Sequence, residues 1–193
     1  MKGGPELVAL AVIHYPVLNK DGEVVTTSIT NFDLHDISRV VCTYGLDRFF
    51  VINPIESQRW LARRIIDYWQ KGPGAAFNET RSVAFENTTL CSSLEELPRQ
   101  LGTDRQKLIY TATSAKQQGN TVRYDQMREQ FCRGGRYVLL FGTGWGLTRE
   151  VLQAVDQVLP PIEGGTEYNH LSVRSAVAVT VDRLFGMRVE GTQ

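Results

Sequence analysis

The chain has 193 residues, with 21 Lys and Arg against 21 Asp and Glu, and 42% of its positions are apolar. At roughly 100–200 residues per domain, this length accommodates one domain spanning residues 1–193 with a substantial core. A formal net charge of zero excludes a histone-like polybasic binder and a strong acidic tail, and it leaves room for a local basic face.

Residues 8–15 read as a buried strand. The apolar run there, Leu7 to Ile13, falls far short of the ~20 residues of a membrane span. It also lacks the charged region and small-residue cleavage site of a secretory signal, so a cytoplasmic protein without membrane contact is expected. An Asn19-Lys20-Asp21-Gly22 turn leads to a short polar strand over 24–28. Residues 33–44 are helical, with Leu34, Ile37, Val40, Val41 and Tyr44 on one face and Gly45 as a stop. A compact strand over 48–52 ends at Asn53-Pro54, and 56–70 form an amphipathic helix carrying Trp60, Leu61, Arg64, Ile65 and Tyr68. After a loop at 71–74 comes a short strand over 82–85. A capping box then appears, Ser92 with Glu95 or Ser93 with Glu96, opening a helix that reaches about Leu101. Residues 108–113 form a strand, 124–132 a helix, 136–141 a strong strand, 148–158 a helix, and 171–185 a last long helix. Cys42, Cys91 and Cys132 lie far apart, with no Cys-x-x-Cys pair. They suit reduced thiols better than a disulfide frame or zinc site, and no metal is expected.

Strands alternating with helices this regularly predict an α/β fold: a mainly parallel sheet with helices on both faces. Ligands in such sheets bind beyond the carboxyl ends of the strands, so the segment after each strand matters most. Three junctions are informative. In Phe141-Gly142-Thr143-Gly144-Trp145-Gly146-Leu147, alternate glycines between strand and helix let a backbone approach a ligand closely, or simply make a tight turn. A phosphate loop would need a Gly-Lys-Ser/Thr ending, and a dinucleotide fingerprint would need Gly where Leu147 stands, so the pattern suits a flat ligand with little phosphate. In the 110–116 segment, Thr111, Thr113 and Ser114 either bond a ligand or cap the next turn. In the 163–179 segment a glycine-rich loop feeds a small-residue helix that Asn169 or Ser172 can cap. Arg174 there opposes the helix dipole, so an anion or a partner is expected to hold it.

Taken in order, these residues resemble the SPOUT superfamily, the alpha/beta-knot RNA methyltransferases. They look closest to small single-domain proteins related to the catalytic domain of tRNA guanine-N1 methyltransferases. Asp33-Leu34-His35-Asp36-Ile37-Ser38-Arg39, followed by Gly45-Leu46-Asp47, resembles the first motif, Phe141 to Leu147 the second and Asn169 to Val179 the third. The resemblance implies a C-terminal deep trefoil knot, a homodimer that completes the site, and S-adenosylmethionine (SAM) as methyl donor to tRNA or rRNA. It implies cofactor contacts from Thr111, Ala112, Thr113 and Ser114, then from Phe141, Gly142, Thr143, Gly144, Gly146 and Leu147. Ile162, Asn169, Leu171, Ser172, Arg174 and Ser175 would complete that pocket. SAM carries no phosphate, which agrees with the missing phosphate-loop lysine.

By the same resemblance Arg39 orients the target nucleotide or assists its deprotonation, with Asp33, His35 and Ser172 as further catalytic candidates. Where many ribose-methylating relatives carry Asn and Gly, this chain has Asp33 and His35, and Ser172 stands where they often have Asn. The acceptor atom is therefore left open. Asp36, Glu167 and His170 are other proton acceptors near the motifs, whereas His14, inside the first strand, reads as a core histidine. Arg123, Arg128, Arg133, Arg136 and Arg149 form one local basic stretch and Arg59, Arg63 and Arg64 another, either of which suits RNA phosphates or a solvated helix face. A non-catalytic knotted RNA-binding module is the main alternative; a nucleotide-dependent oxidoreductase fits the glycine spacing less well.

Overall fold

A computed structural model describes residues 3–187. The first strand, β1 (Leu7–Ile13), is apolar throughout because both of its faces are covered. Val8, Leu10 and Val12 enter one core, and Ala9, Ala11 and Ile13 the other. A small antiparallel hairpin comes next, β2 (Val17–Leu18) and β3 (Val24–Val25), whose turn is held by Asn19 Oδ1 accepting from the Asp21 and Glu23 amides. Helix α1 (Asn31–Thr43) starts at Thr30, whose hydroxyl accepts the Asp33 amide, and stops at Gly45, with φ +65°. Then come β4 (Arg48–Ile52), α2 (Glu56–Gln70), α3 (Pro73–Phe77), α4 (Glu79–Phe85), β5 (Thr88–Cys91) and α5 (Leu97–Gln100). The chain continues through β6 (Ile109–Ala112), α6 (Tyr124–Cys132), β7 (Arg136–Gly142), α7 (Arg149–Ala154), β8 (Gln157–Val158) and α8 (Val173–Phe185).

Six strands pair in the order β5-β4-β1-β7-β6-β8, every pair parallel. One face is covered by α1, α2, α4, α6 and α8, through side chains such as Ile37, Ile66, Phe85, Met127 and Val181. The other is covered by α5, α7 and the β2–β3 hairpin, through Leu97, Val151 and Val17. At about 1.5–3 kcal/mol for each fully buried large apolar side chain, these two cores dominate the favourable side of folding.

The α/β architecture agrees with the sequence reading, and four local expectations are corrected. The 82–85 segment is helix, not strand. Asn78 caps α4 by accepting the Arg81 amide, and Val83 stays 49% exposed. The 148–158 helix stops at Ala154, and Gln157 and Val158 become an edge strand on β6. Asp156 explains the break: its carboxylate accepts the Tyr110 amide at 2.7 Å, and its own amide bonds Tyr110 O at 3.0 Å, which pulls the chain out into the sheet. Ser92 pairs with Glu96 rather than Glu95, and it precedes a short 3-10 turn at Leu94–Glu96 before α5. Finally, the basic stretch is not one face. Arg136 opens β7 and bonds Leu101 O, whereas Arg149 lies beyond the far end of that strand, roughly 20 Å away at ~3.3 Å per residue. Arg123 is held by Asp125 and Arg128 by the Arg183 carbonyl. Among the described residues, no helix is long and apolar enough to cross a membrane.

Candidate active site

The carboxyl ends of β6 and β7 open into a cavity of about 920 Å³, formed by the 113–120, 142–147 and 160–171 loops and closed by Val173, Ala176 and Thr180 of α8. That volume lies in the range of pockets that enclose a small organic ligand. It gathers Thr113, Ser114, Phe141, Gly142, Gly144, Gly146, Leu147, Ile162, Asn169 and Leu171 of the expected cofactor residues. Thr111, Ala112, Thr143, Ser172, Arg174 and Ser175 are outside its lining.

The glycine loop is shaped by sterics. A Cβ on Gly142 would lie 2.7 Å from the Leu147 amide nitrogen. Gly144 has φ +59°, and a Cβ there would meet Leu18 O at 2.8 Å. The hairpin strand β2 clamps this loop, with the Trp145 amide donating to Leu18 O and the Leu18 amide to Gly146 O, both at 2.9 Å.

Beneath the loop runs a directed chain of hydrogen bonds. Thr143 Oγ1 donates to the Ile13 carbonyl at 3.1 Å, so it must accept from Thr27 Oγ1 at 2.5 Å. Thr27 has then spent its only proton, and it accepts from His14 Nδ1 at 3.0 Å. Burial lowers the His14 pKa to about 4, with Asp33 pulling weakly the other way, so the ring is neutral at pH 7 with its proton on Nδ1. The core role read for His14 is what the geometry gives it: it fixes the start of the glycine loop.

The third loop is tied across the first by Asn169, whose side-chain amide donates to Ala115 O at 3.0 Å. Asn169 is therefore a tether, and Ser172 is the cap of α8, accepting the Ser175 amide. The anion that Arg174 required is internal: it faces Asp33 at 3.4 Å and Asp36 at 3.6 Å, joining α8 to α1. Asp33 also accepts from the Thr30 hydroxyl at 2.5 Å.

His35 packs edge-on against Phe85 and Trp69, at 4.9 and 5.4 Å between ring centroids. Burial holds its pKa below the ordinary imidazole value, and Arg81 and Arg39 push the same way against Asp36. Arg39 is exposed on α1 and does not line the cavity. Of the five proton acceptors named from sequence, Glu167 and His170 line the cavity.

Sequence reasoning missed Leu18, Lys116, Tyr124, Arg149 and Thr180 as lining residues. Arg149 lies two residues past the glycine motif and was within reach of that reading. Leu18 and Thr180 carry no local signal, since they arrive from a hairpin and a helix remote in sequence. Among the described residues, Thr180 Oγ1 is buried without a hydrogen-bond partner. A cavity walled by glycine backbone and lined by hydroxyl and amide groups suits a nucleoside carrying an amino-acid tail, the chemistry of SAM.

A family model described as SAM-dependent RNA methyltransferase matches residues 7–186. An uncharacterised protein of Aquifex aeolicus is 36% identical over 182 residues, which cover 93% of this chain and 89% of that protein. A tRNA (guanine-N(1)-)-methyltransferase of Oleidesulfovibrio alaskensis is 40% identical over 91% of this chain, which spans only 41% of that enzyme. The crystal structure of the SpoU methyltransferase AviRb from Streptomyces viridochromogenes shares the fold, with a TM-score of 0.60 at 12% identity over 94% of this chain and 59% of that one. With the match covering nearly the whole fold, the chain belongs to the SAM-dependent RNA methyltransferase family.

Proposed function

We propose that the chain is a single-domain cytoplasmic enzyme that methylates a nucleotide of tRNA, with rRNA as the alternative substrate. The observation that carries this reading is the cavity at the ends of β6 and β7, walled by glycine backbone and continuous with an exposed rim. The tRNA preference is supported by the relative from Oleidesulfovibrio alaskensis, although two fifths of that enzyme is all that matches.

Methyl transfer from a sulfonium is an in-line displacement: the acceptor's lone pair forms a bond to the methyl carbon as the sulfur–carbon bond breaks. SAM, when bound, supplies that methyl group and leaves as S-adenosylhomocysteine. The chain must hold donor and acceptor in line and remove the acceptor's proton. Thr113, Ser114, the 142–147 backbone and Asn169 are the donor-holding groups in this reading. Glu167 and His170 are the proton acceptors within reach, since both line the cavity.

Asp33, His35 and Ser172 act at one remove, by holding Arg174, by packing α1 on α2 and α4, and by capping α8. Arg39 lies outside its own cavity, so its role in orienting the nucleotide needs a second copy. A homodimer through the amino ends of α1 and α8 agrees with exposed Phe32 and Leu171 there, 69% and 49% accessible. A trefoil knot in the last third of the chain agrees with the 160–171 segment being tethered across the 113–120 loop.

Nucleoside mass spectrometry of RNA from wild type and a deletion strain tests the reading. Loss of one methylated nucleoside from tRNA is the expected result. Loss from rRNA would move the substrate, and an unchanged profile in both would remove the activity.

A further inference from the structure

The mouth of the cavity carries three aromatic rings in mutual contact. Trp145 and His170 lie 5.5 Å apart between centroids at 61°, and Tyr168 and His170 lie 5.4 Å apart at 77°. Trp145 comes from the clamped glycine loop, and the other two come from the segment tethered by Asn169. The rings contact one another edge to face, yet Trp145 remains 58% exposed and Tyr168 75%. Large flat faces are thus presented to solvent rather than folded into the cores on either side of the sheet.

The rim around them is cationic. Lys116 and Arg149 are exposed and line the same cavity, against one lining carboxylate, Glu167. Among the described residues neither cation is in an ion pair. Aromatic faces beside unpaired cations are the combination that holds unpaired nucleotides, because every base offers a π-face and every linkage a phosphate. A base within a duplex offers no free face. The aliphatic and phenyl surface of Phe32 and Leu171, with no such polar ring edges, suits a protein contact instead.

We infer that Tyr168, His170 and Trp145 form the platform on which an unpaired base of the RNA substrate stacks, with Lys116 and Arg149 holding the adjoining phosphates. This inference rests on the RNA-methylation reading and adds to it the element that selects an extruded nucleotide.

The test uses the full chain and bulk tRNA from a strain lacking the gene. Tyr168→Ala removes a side chain outside the cavity lining. It is expected to weaken tRNA binding in filter retention, and to raise the KM for tRNA, about tenfold. S-adenosylhomocysteine affinity and sedimentation mass should stay at the wild-type values. Tyr168→Phe should bind tRNA as wild type does, and Trp145→Ala should weaken tRNA binding in the same direction as Tyr168→Ala. Unchanged tRNA binding in Tyr168→Ala would overturn the inference. So would a matching fall in S-adenosylhomocysteine affinity, which would assign the ring to the donor site, or a change of mass, which would make it a contact between copies. If the wild type binds tRNA without methylating it, the enzymatic reading falls while the tenfold binding loss still supports the platform.

Discussion

Replacing Thr143 by Val keeps the side chain's shape and deletes the hydroxyl at the centre of the His14–Thr27–Thr143–Ile13 chain. The Ile13 carbonyl is not stranded, because the Thr143 amide still donates to it at 3.2 Å. What is lost is the hydroxyl's bond to that carbonyl and the acceptor for Thr27. Two bonds at about 0.5–1.5 kcal/mol each give a destabilisation of about 2 kcal/mol. For a chain of this size that lowers Tm by about 4–8 °C. Urea unfolding followed by circular dichroism should show the midpoint fall with an unchanged slope. Thr27→Val removes the same shared bond, so the double variant should fall short of additivity by about 1 kcal/mol. A Thr143→Val effect within about 0.5 kcal/mol of zero, or full additivity of the pair, would refute the directed chain.

Gly144→Ala places a side chain at φ +59° with its Cβ 2.8 Å from Leu18 O. It should cost about 1–2 kcal/mol and weaken S-adenosylhomocysteine binding by about tenfold or more in calorimetry. Gly164→Ala, with nothing within 4 Å, should leave both unchanged. Arg174→Met leaves Asp33, 7% exposed, with the Thr30 hydroxyl as its remaining side-chain partner among the described residues. Because Arg174 is itself 40% exposed, the expected loss is about 1 kcal/mol, smaller at high salt, as read by denaturation at two ionic strengths. His14 is neutral in the fold with its pKa lowered to about 4, against 6.5 unfolded, so the unfolded chain binds the extra proton between those values. Its contribution is complete above pH 6.5 and is lost as pH falls towards 4, by about 3 kcal/mol in all. Unfolding free energies across that range should show a slope that His14→Asn flattens by one proton.

The fold class was legible because its strongest signals are periodic: the unbroken apolar β1 and β7, and the helical spacing of α1, α2 and α6. Edge strands escaped. β5 is half-buried, and β8 has two residues whose pairing depends on Asp156 reaching Tyr110, 46 positions earlier, and not on local pattern. The three loops around the cavity were legible as motifs because glycines and hydroxyls directly after strands have a physical purpose there. The partners of individual side chains were not. Nothing near Arg174 in sequence points to Asp33, and nothing near Thr143 points to Thr27 and His14. Position along the chain likewise cannot separate Arg136 from Arg149, which β7 carries to opposite ends of the sheet.

The central claim, methyl transfer to RNA, is tested most directly by incubating the purified chain with methyl-labelled SAM and, in parallel, bulk tRNA and rRNA from a strain lacking its gene. The predicted result is label transferred to a single nucleoside of tRNA, saturating with both substrates and inhibited by S-adenosylhomocysteine. Label absent from tRNA and rRNA alike, at protein concentrations where S-adenosylhomocysteine binding is measurable, would contradict it.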